Sequence, residues 1–385
     1  MSQAVIVDVV RSASGRGKPG GQLSGLHPVD LLATVLYSLV DRNDLDPGMV
    51  DDVIGGCLSQ VGQQSVNITR NAVLAAGFPE SVPGTTVDRQ CGSSQQAAAF
   101  AAQGVIAGAY DIVIACGVEQ MSRNPINFAT LGEDPWGPMV HARYPHGLVG
   151  QGVSAELIAA RWDLSREQLD EFSARSHRLA AAADFSREIV PVGDTPLVDE
   201  TIRPSTTVEG LAGLKPAFFD EETAARFPEI QWRVTPGNSS PLADGASAAL
   251  IMSEERAASL GLTPRARFRH FAVTGSDPIE MLTGVMPVTR RILERSGMSI
   301  DDVDSFEVNE AFACVPLAWQ YETGADPARV NQRGGAIALG HPLGASGTRL
   351  LTTLVNTLEQ TGGRFGLQTM CEGAGMANAT IIERI

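Results

Sequence analysis

Two stretches of this sequence carry one pattern at a fixed separation. Asp51-Asp52-Val53 leads into the strand-like IGGCLSQ, and Asp301-Asp302-Val303 leads into the strand-like SFEVNEAFA, a separation of 301 − 51 = 250. Cys91 and His341 stand equally far apart, 341 − 91 = 250. After Cys91, residues 95–107 are alanine-rich and small on every side, which predicts a buried helix. Gly108 is placed to end it, and 112–116 (IVIAC) reads as a buried strand. After His341, Leu351, Leu354 and Leu358 recur at helical spacing, Gly362 can stop that helix, and 365–370 reads as the next strand. Each copy runs from a turn with a reactive residue through a buried helix and a glycine to a strand. This order implies duplication of a βαβ-rich unit and an α/β fold.

Between the copies, residues 118–240 change character. Pro125, Pro135, Pro138 and Pro145 interrupt the run, then an amphipathic helix follows. Ser165 with Gln168 predicts a capping box, and Leu169, Phe172 and Leu179 supply the apolar stripe. The stretch reads as an insertion carried on the first half. We divide the chain into a first half of 1–117 and 241–264, a loop domain of 118–240, and a second half of 265–385.

The net charge of −15 argues against a polyanionic nucleic acid as partner, because phosphate binding needs clustered Lys and Arg. A local cationic patch would still serve a small anion. Five cysteines, Cys57, Cys91, Cys116, Cys314 and Cys371, are widely spaced without a CxxC pair. That pattern predicts neither a disulfide framework nor a metal site, and free thiols suit a reducing cytoplasm. No stretch approaches the roughly 20 apolar residues of a membrane helix, and no signal peptide is read at the start. The expectation is a soluble cytoplasmic protein with no membrane partner.

Four short segments carry chemistry. Cys91, in VDRQCGSS, precedes a buried helix, where unpaired N–H groups and the helix dipole predict a thiol pKa below the usual ~8.5. Gly92 is expected to let the backbone approach a substrate closely. By position alone the cysteine is either nucleophile or core residue. His341, framed by glycine and proline in GGAIALGHPLG, is suited to act as base or donor. Cys371 ends a strand before the turn Glu372-Gly373-Ala374-Gly375, whose N–H groups can bind an oxyanion. Asn309 opens NEAF at the end of an apolar strand, where α/β folds place sites. Taken singly, Cys371 reads better as a small residue closing its strand, and NEAF as a helix cap.

Together the segments DRQCGSSQQA, VNEAFA, GGAIALGHPLGASG and CEGAG, with GNSSPLADGASAALI at 237–251, resemble the thiolase family in order and spacing over nearly the whole chain. The resemblance implies the thiolase fold: two similar βαβ-rich halves in five αβαβα layers, with an inserted loop domain. It implies a 3-ketoacyl-CoA thiolase, an acyltransferase of the degradative kind acting in lipid or steroid-type catabolism. Such an enzyme cleaves a 3-ketoacyl-CoA with CoA to acetyl-CoA (or propionyl-CoA) and a shortened acyl-CoA. Cys91 falls on the nucleophile, His341 on the residue that activates it and later serves the incoming thiol, and Cys371 on the acid/base at the substrate α-carbon. His341 and a water held by Asn309 fall on one oxyanion hole; the N–H groups of Cys91 and Gly373 fall on the other. Ser240 matches a pantetheine contact, and Arg203 an arginine near the nucleotide end of CoA or, equally, a solvated surface charge. CoA and acyl-CoA are the implied partners, with no tightly bound cofactor and no metal. The family's habit implies a homodimer or homotetramer.

The chain departs from the family at Cys91-Gly92-Ser93-Ser94, in CEGAG, at Gln151 where biosynthetic relatives carry methionine, and in the long stretch 221–232. Three alternatives were weighed. A biosynthetic acetoacetyl-CoA thiolase fits the segments less closely. A ketoacyl synthase would put a histidine or asparagine where Cys371 stands. A non-catalytic acyl-CoA-binding relative would have lost a reactive position, and none is lost.

Overall fold

The computed structural model describes residues 3–385. Nine strands line up in one mixed sheet, and a tenth short strand, Gly15–Arg16, pairs at the side of Ala243–Ser253. From one edge the order is Thr85–Val87, Asp52–Gly56, Ile112–Gln120, Ala243–Ser253, Ala4–Arg11. It continues through Ala266–Gly275, Met376–Arg384, Phe365–Glu372 and Ser305–Val308. The join is a short antiparallel contact, Val5 with Arg267 and Ile6 with Ala266. The second run mirrors the first, and an isolated bridge from Phe306 to Val330 stands where the first half has its outermost strand.

Alternation along the strands sorts side chains into layers. Val5, Ile112, Ile114, Leu250 and Met252 face the helices Pro28–Asp41 and Ile68–Ala75 in one apolar cluster. Their neighbours Ile6, Val113, Ala249 and Ile251 face the central helices Ser93–Ala107 and Ser346–Thr361. Beyond the second run of strands, Phe306, Leu367 and Ile381 pack on the helices Val285–Ser296 and Cys314–Thr323. Helix, sheet, helix, sheet, helix gives five layers. The central helices touch where small residues allow it: a Cβ on Gly347 would overlap the Gln95 backbone.

The duplication is present, but its spacing corrects the expected 250. Strand pairs Asp52–Val113 and Ile54–Ala115 have counterparts Ser305–Gly366 and Glu307–Gln368, offset by 305 − 52 = 253. Asp51 Oδ2 accepts the Asp111 and Ile112 N–H groups at 2.6 and 2.9 Å; Asp304 Oδ2 accepts those of Arg364 and Phe365 at 2.7 and 2.9 Å. Asp51 thus corresponds to Asp304, and the Asp-Asp-Val likeness is accidental. Asp301 and Asp302 lie in a 3-10 turn before the strand. Cys91 corresponds to Gly344 and not to His341, because GHPLGA adds a 3-10 turn, Leu343–Ala345, ahead of its helix.

The halves differ most in one connection. Phe365–Glu372 returns to Met376–Arg384 through Gly373-Ala374-Gly375, whereas Ile112–Gln120 returns to Ala243–Ser253 only after residues 121–242. That excursion includes the helix Arg166–Ala182, capped by the Ser165/Gln168 box.

Candidate active site

The turn that carries Cys91, the candidate nucleophile, is built by local hydrogen bonds. Strand Thr85–Val87 ends at Asp88, whose Oδ1 accepts the Gln90 N–H at 2.6 Å. Gln90 is held at φ +49°, an uncommon setting for a non-glycine residue. Ser93 Oγ accepts from Arg89 N–H and donates to the Gln90 carbonyl. Cys91 follows, 2% exposed, one residue before the helix cap Gly92.

The expected low thiol pKa is not what this setting produces. Burial pushes Cys91 up to about 12, and the carboxyls of Glu372 and Glu119 add to the rise, against a lowering contact from Gln151. The helix-end argument fails for a physical reason. Gly92 N–H donates to the Arg89 carbonyl and Ser93 N–H to the Gln90 carbonyl, so these donors are consumed inside the turn. Gly92 is also not the point of substrate approach. A side chain there would strike the Glu372 carboxyl and the Asn378 amide, so glycine makes room for protein.

His341 is buried between the short helix Ala336–Leu339 and the central helix Ser346–Thr361. Ser346 Oγ lies 2.6 Å from its Nδ1 and donates its proton to the Pro342 carbonyl at 2.8 Å. The hydroxyl has one proton, so it accepts from Nδ1–H. The ring is therefore the Nδ1–H tautomer with a bare Nε2. Burial, with the Arg349 cation nearby, pushes His341 down to about 3, so the resting imidazole is neutral. Asn309 Nδ2 stands 3.4 Å from Nε2, and Asn309 Oδ1 has no protein partner, as a residue that holds water would.

Cys371 is buried in the last turns of its strand, and burial together with Cys91 and Cys314 raises its thiol well above the ordinary value. A Cβ on Gly373 would meet the Gln90 side chain, so the CEGAG turn lies against the Cys91 turn. Among the described residues the Gly373 N–H finds no loop or side-chain acceptor, and the Cys91 N–H finds none beyond its own sulfur. Leu343, two residues past His341, shares an apolar cluster with Cys91 and Met370. The fold thus gathers the Cys91, His341 and Cys371 segments, with Asn309 on His341.

The two expected CoA contacts lie beside the loops of this centre. Ser240 is half-buried and its N–H donates to the Ala311 carbonyl at 3.0 Å, which ties it to NEAF. Arg203 is exposed, makes no ion pair among the described residues, and is fixed by its backbone, the N–H donating to His177 Nδ1 and the carbonyl accepting from Thr206 N–H. Two residues earlier, Thr201 packs on Gly340, so Arg203 lies on the surface near the His341 loop.

Sequence reading missed three residues. Ser346 sets the His341 tautomer. Glu119, fully buried, accepts from Leu58 N–H, Ser59 N–H, the Gln64 amide and Gly344 N–H at 2.8–3.1 Å. Glu372 lies under the nucleophile turn with neither oxygen hydrogen-bonded to protein, and burial raises it to about 8. Glu310 of NEAF is structural: it accepts from Ser176, Asn331 and Ile337 and so holds the loop leading to His341. No cluster of His, Cys, Asp and Glu suited to a metal occurs among the described residues.

Comparison with known proteins agrees with this geometry. The family descriptions "Thiolase, N-terminal domain" and "Thiolase, C-terminal domain" match residues 4–255 and 262–384. The chain is 48% identical over 404 residues to the steroid 3-ketoacyl-CoA thiolase FadA6 of Mycobacterium tuberculosis, covering 100% of this chain and 95% of that protein. It is 44% identical over 400 residues to a 3-ketoacyl-CoA thiolase of Aliivibrio salmonicida, with both chains fully covered. The crystal structure of the Bacillus anthracis acetyl-CoA acetyltransferase superposes with a TM-score of 0.88 at 36% identity, covering 100% of this chain and 99% of that one. A buried cysteine turn, a neutral histidine with a bare Nε2 and a second cysteine beside a free N–H, set in a fold shared along its whole length, place this chain in the thiolase family of acyltransferases.

Proposed function

We propose that this chain catalyses CoA-dependent thiolytic cleavage of 3-ketoacyl-CoA to acetyl-CoA (or propionyl-CoA) and a shortened acyl-CoA, in lipid or steroid-type catabolism. The observation that carries this is the pairing of a neutral, correctly tautomerised His341 with the adjoining turns of Cys91 and Cys371. The Cys91 thiol passes its proton to His341 Nε2 and its sulfur attacks the 3-keto carbon. The N–H groups of Cys91 and Gly373 take the oxyanion that forms. The C2–C3 bond breaks, and the acetyl-CoA enolate takes the Cys371 proton while His341 and the water on Asn309 face its oxygen. CoA thiol then attacks the acyl-enzyme, its proton restores Cys371, and departing Cys91 recovers its own from His341.

Residues 118–240 form the loop domain in this reading, with the halves divided as above. Ser240 meets pantetheine and Arg203 the nucleotide phosphates. CoA is the cosubstrate, and no tightly bound cofactor is needed. We place the protein in the cytoplasm as a homodimer or homotetramer; no described helix is long and apolar enough to cross a membrane. The relative named for steroid substrates supports a bulky acyl group.

The test is thiolysis of a panel of 3-ketoacyl-CoAs, followed by loss of enolate absorbance, beside Cys91→Ala. Cleavage that vanishes in the variant, with an acyl adduct on Cys91 by intact mass, is expected. Turnover of acetoacetyl-CoA alone would move the enzyme to the biosynthetic group. Absence of both turnover and adduct would leave an acyl-CoA-binding protein.

A further inference from the structure

The loop domain brings a polar side chain to the Cys91 sulfur. Gln151 Nε2 lies 4.0 Å from Cys91 Sγ, the side-chain donor that meets this sulfur among the described residues. Gln151 is the first residue of the helix Gln151–Arg161, whose cap Gly150 makes no side-chain hydrogen bond. Of the turn donors only the N–H of Cys91 itself bears on the sulfur, because the Gly92 and Ser93 N–H groups are already committed to carbonyls. The charged and titratable groups that bear on the sulfur are Glu372 and Glu119, which oppose a thiolate, and Cys371, which is coupled to it. His341 is neutral and supplies no positive charge until it takes the proton. Loss of the proton therefore needs a donor from elsewhere.

Gln151 is also held where it stands. A Cβ on Gly152 would overlap the Phe218 ring, and Phe218 meets Phe312 of NEAF edge-on at 5.9 Å. Farther along the helix, Glu156 accepts the Arg233 and Val234 N–H groups at 2.8 Å each. On the approach to the helix, the Arg226 guanidinium donates to the Gly147 carbonyl at 3.0 Å and to that of His146. Arg226 belongs to the unexpectedly long stretch 221–232, so that stretch clamps the run leading into Gln151.

We propose that Gln151 is a positioning residue of the nucleophile: its side-chain N–H donates to the Cys91 sulfur as the thiolate forms, and the 218–234 excursion holds it in place. A methionine here could only pack against the sulfur. A carboxamide stabilises the charge, and a hydrogen bond to an ionised group shortens and strengthens relative to one with a neutral thiol. The inference rests on Cys91 as the nucleophile, yet it can be tested without any substrate.

The experiment is the pH dependence of Cys91 alkylation by iodoacetamide, with the modified peptide quantified by mass spectrometry. Wild type, Gln151→Met and Arg226→Ala are compared, with thermal melts run on each. Gln151→Met should move the alkylation profile to higher pH and slow the reaction at pH 8 roughly tenfold. Arg226→Ala, which touches neither Cys91 nor His341, should shift the profile in the same direction by a smaller factor. A Gln151→Met profile superimposed on the wild type, or faster alkylation, overturns the proposal. Should Gln151→Met fail to fold, an unshifted Arg226→Ala profile does the same. Failure of the underlying reading would show separately, as thiolysis that survives Cys91→Ala.

Discussion

Glu119 and Glu372 stand 372 − 119 = 253 residues apart, at one place in the two halves, each near the end of the strand that follows its central helix. Glu119 accepts four N–H donors, among them that of Gly344, which holds the position of Cys91 in the second half. Glu372 lies beneath Cys91-Gly92 and accepts none. The first acid is consumed in building the loop that carries His341. The second makes no claim on the Cys91 N–H, which the proposed mechanism assigns to an oxyanion. The two halves thus hold two versions of one cradle, one closed by its own carboxylate and one not.

If the comparison is right, Glu119→Ala should be the most damaging change. It strands four donors in two loops, at a cost on the order of 3–5 kcal/mol. We expect a large fall in melting temperature, and Glu372→Ala should cost far less. Equal losses would break the distinction. Ser346→Ala comes next. Without the Nδ1–H acceptor the imidazole is free to turn over, and kcat should fall roughly 10- to 100-fold with KM little changed. Ser346→Thr, which keeps a hydroxyl, should recover most of it in steady-state assays.

Glu372→Gln sharpens the contrast through pH. The folded-state pKa of about 8 lies above the usual 4.5, so burial favours the protonated acid. Its contribution to stability is complete below the unfolded-state pKa and is lost as pH rises to about 8. Glutamine does not titrate. The variant should therefore gain on the wild type between pH 5 and 8, by roughly 3–4 kcal/mol, and hold that lead above. Melts across this range that run parallel would show that Glu372 is ionised throughout.

Much of the fold was legible because its signals are local. Gly108 and Gly362 stop their helices at φ +79° and +75°, and Ser165 with Gln168 makes its box within four residues. The glycine-rich turns of Cys91, His341 and Cys371 are each ambiguous alone and become legible only together, through their order and spacing. What escaped reading depends on distance. Glu119 meets Gly344 across 225 residues, and nothing near either announces the other. Ser346 is five residues from His341, yet only the path of the GHPLGA turn shows which nitrogen it faces. The thiol pKa runs against the helix-end argument because Cys91 is buried and the Gly92 and Ser93 N–H groups are spent on carbonyls inside the turn. The repeat was found at a false offset because like residues, Asp-Asp-Val, were matched in place of like roles.

That last error supplies the smallest and cleanest test. Asp51 and Asp304 share no neighbour, sit in different halves and are both exposed, yet each carboxylate oxygen closes the same pair of N–H groups at the start of the equivalent strand. A true structural repeat predicts equal energetics as well as equal geometry. Asp51→Ala and Asp304→Ala should each cost about 1 kcal/mol, the ordinary net worth of such contacts at a surface. Asp301→Ala, the residue that sequence likeness pairs with Asp51, should cost less than half as much, since its carboxylate caps no strand. The double variant Asp51→Ala/Asp304→Ala should be additive, because the sites are remote. Chemical denaturation of the four proteins decides the point: a cost that follows Asp301 and not Asp304 would reinstate the 250-residue register and undo the pairing of Glu119 with Glu372.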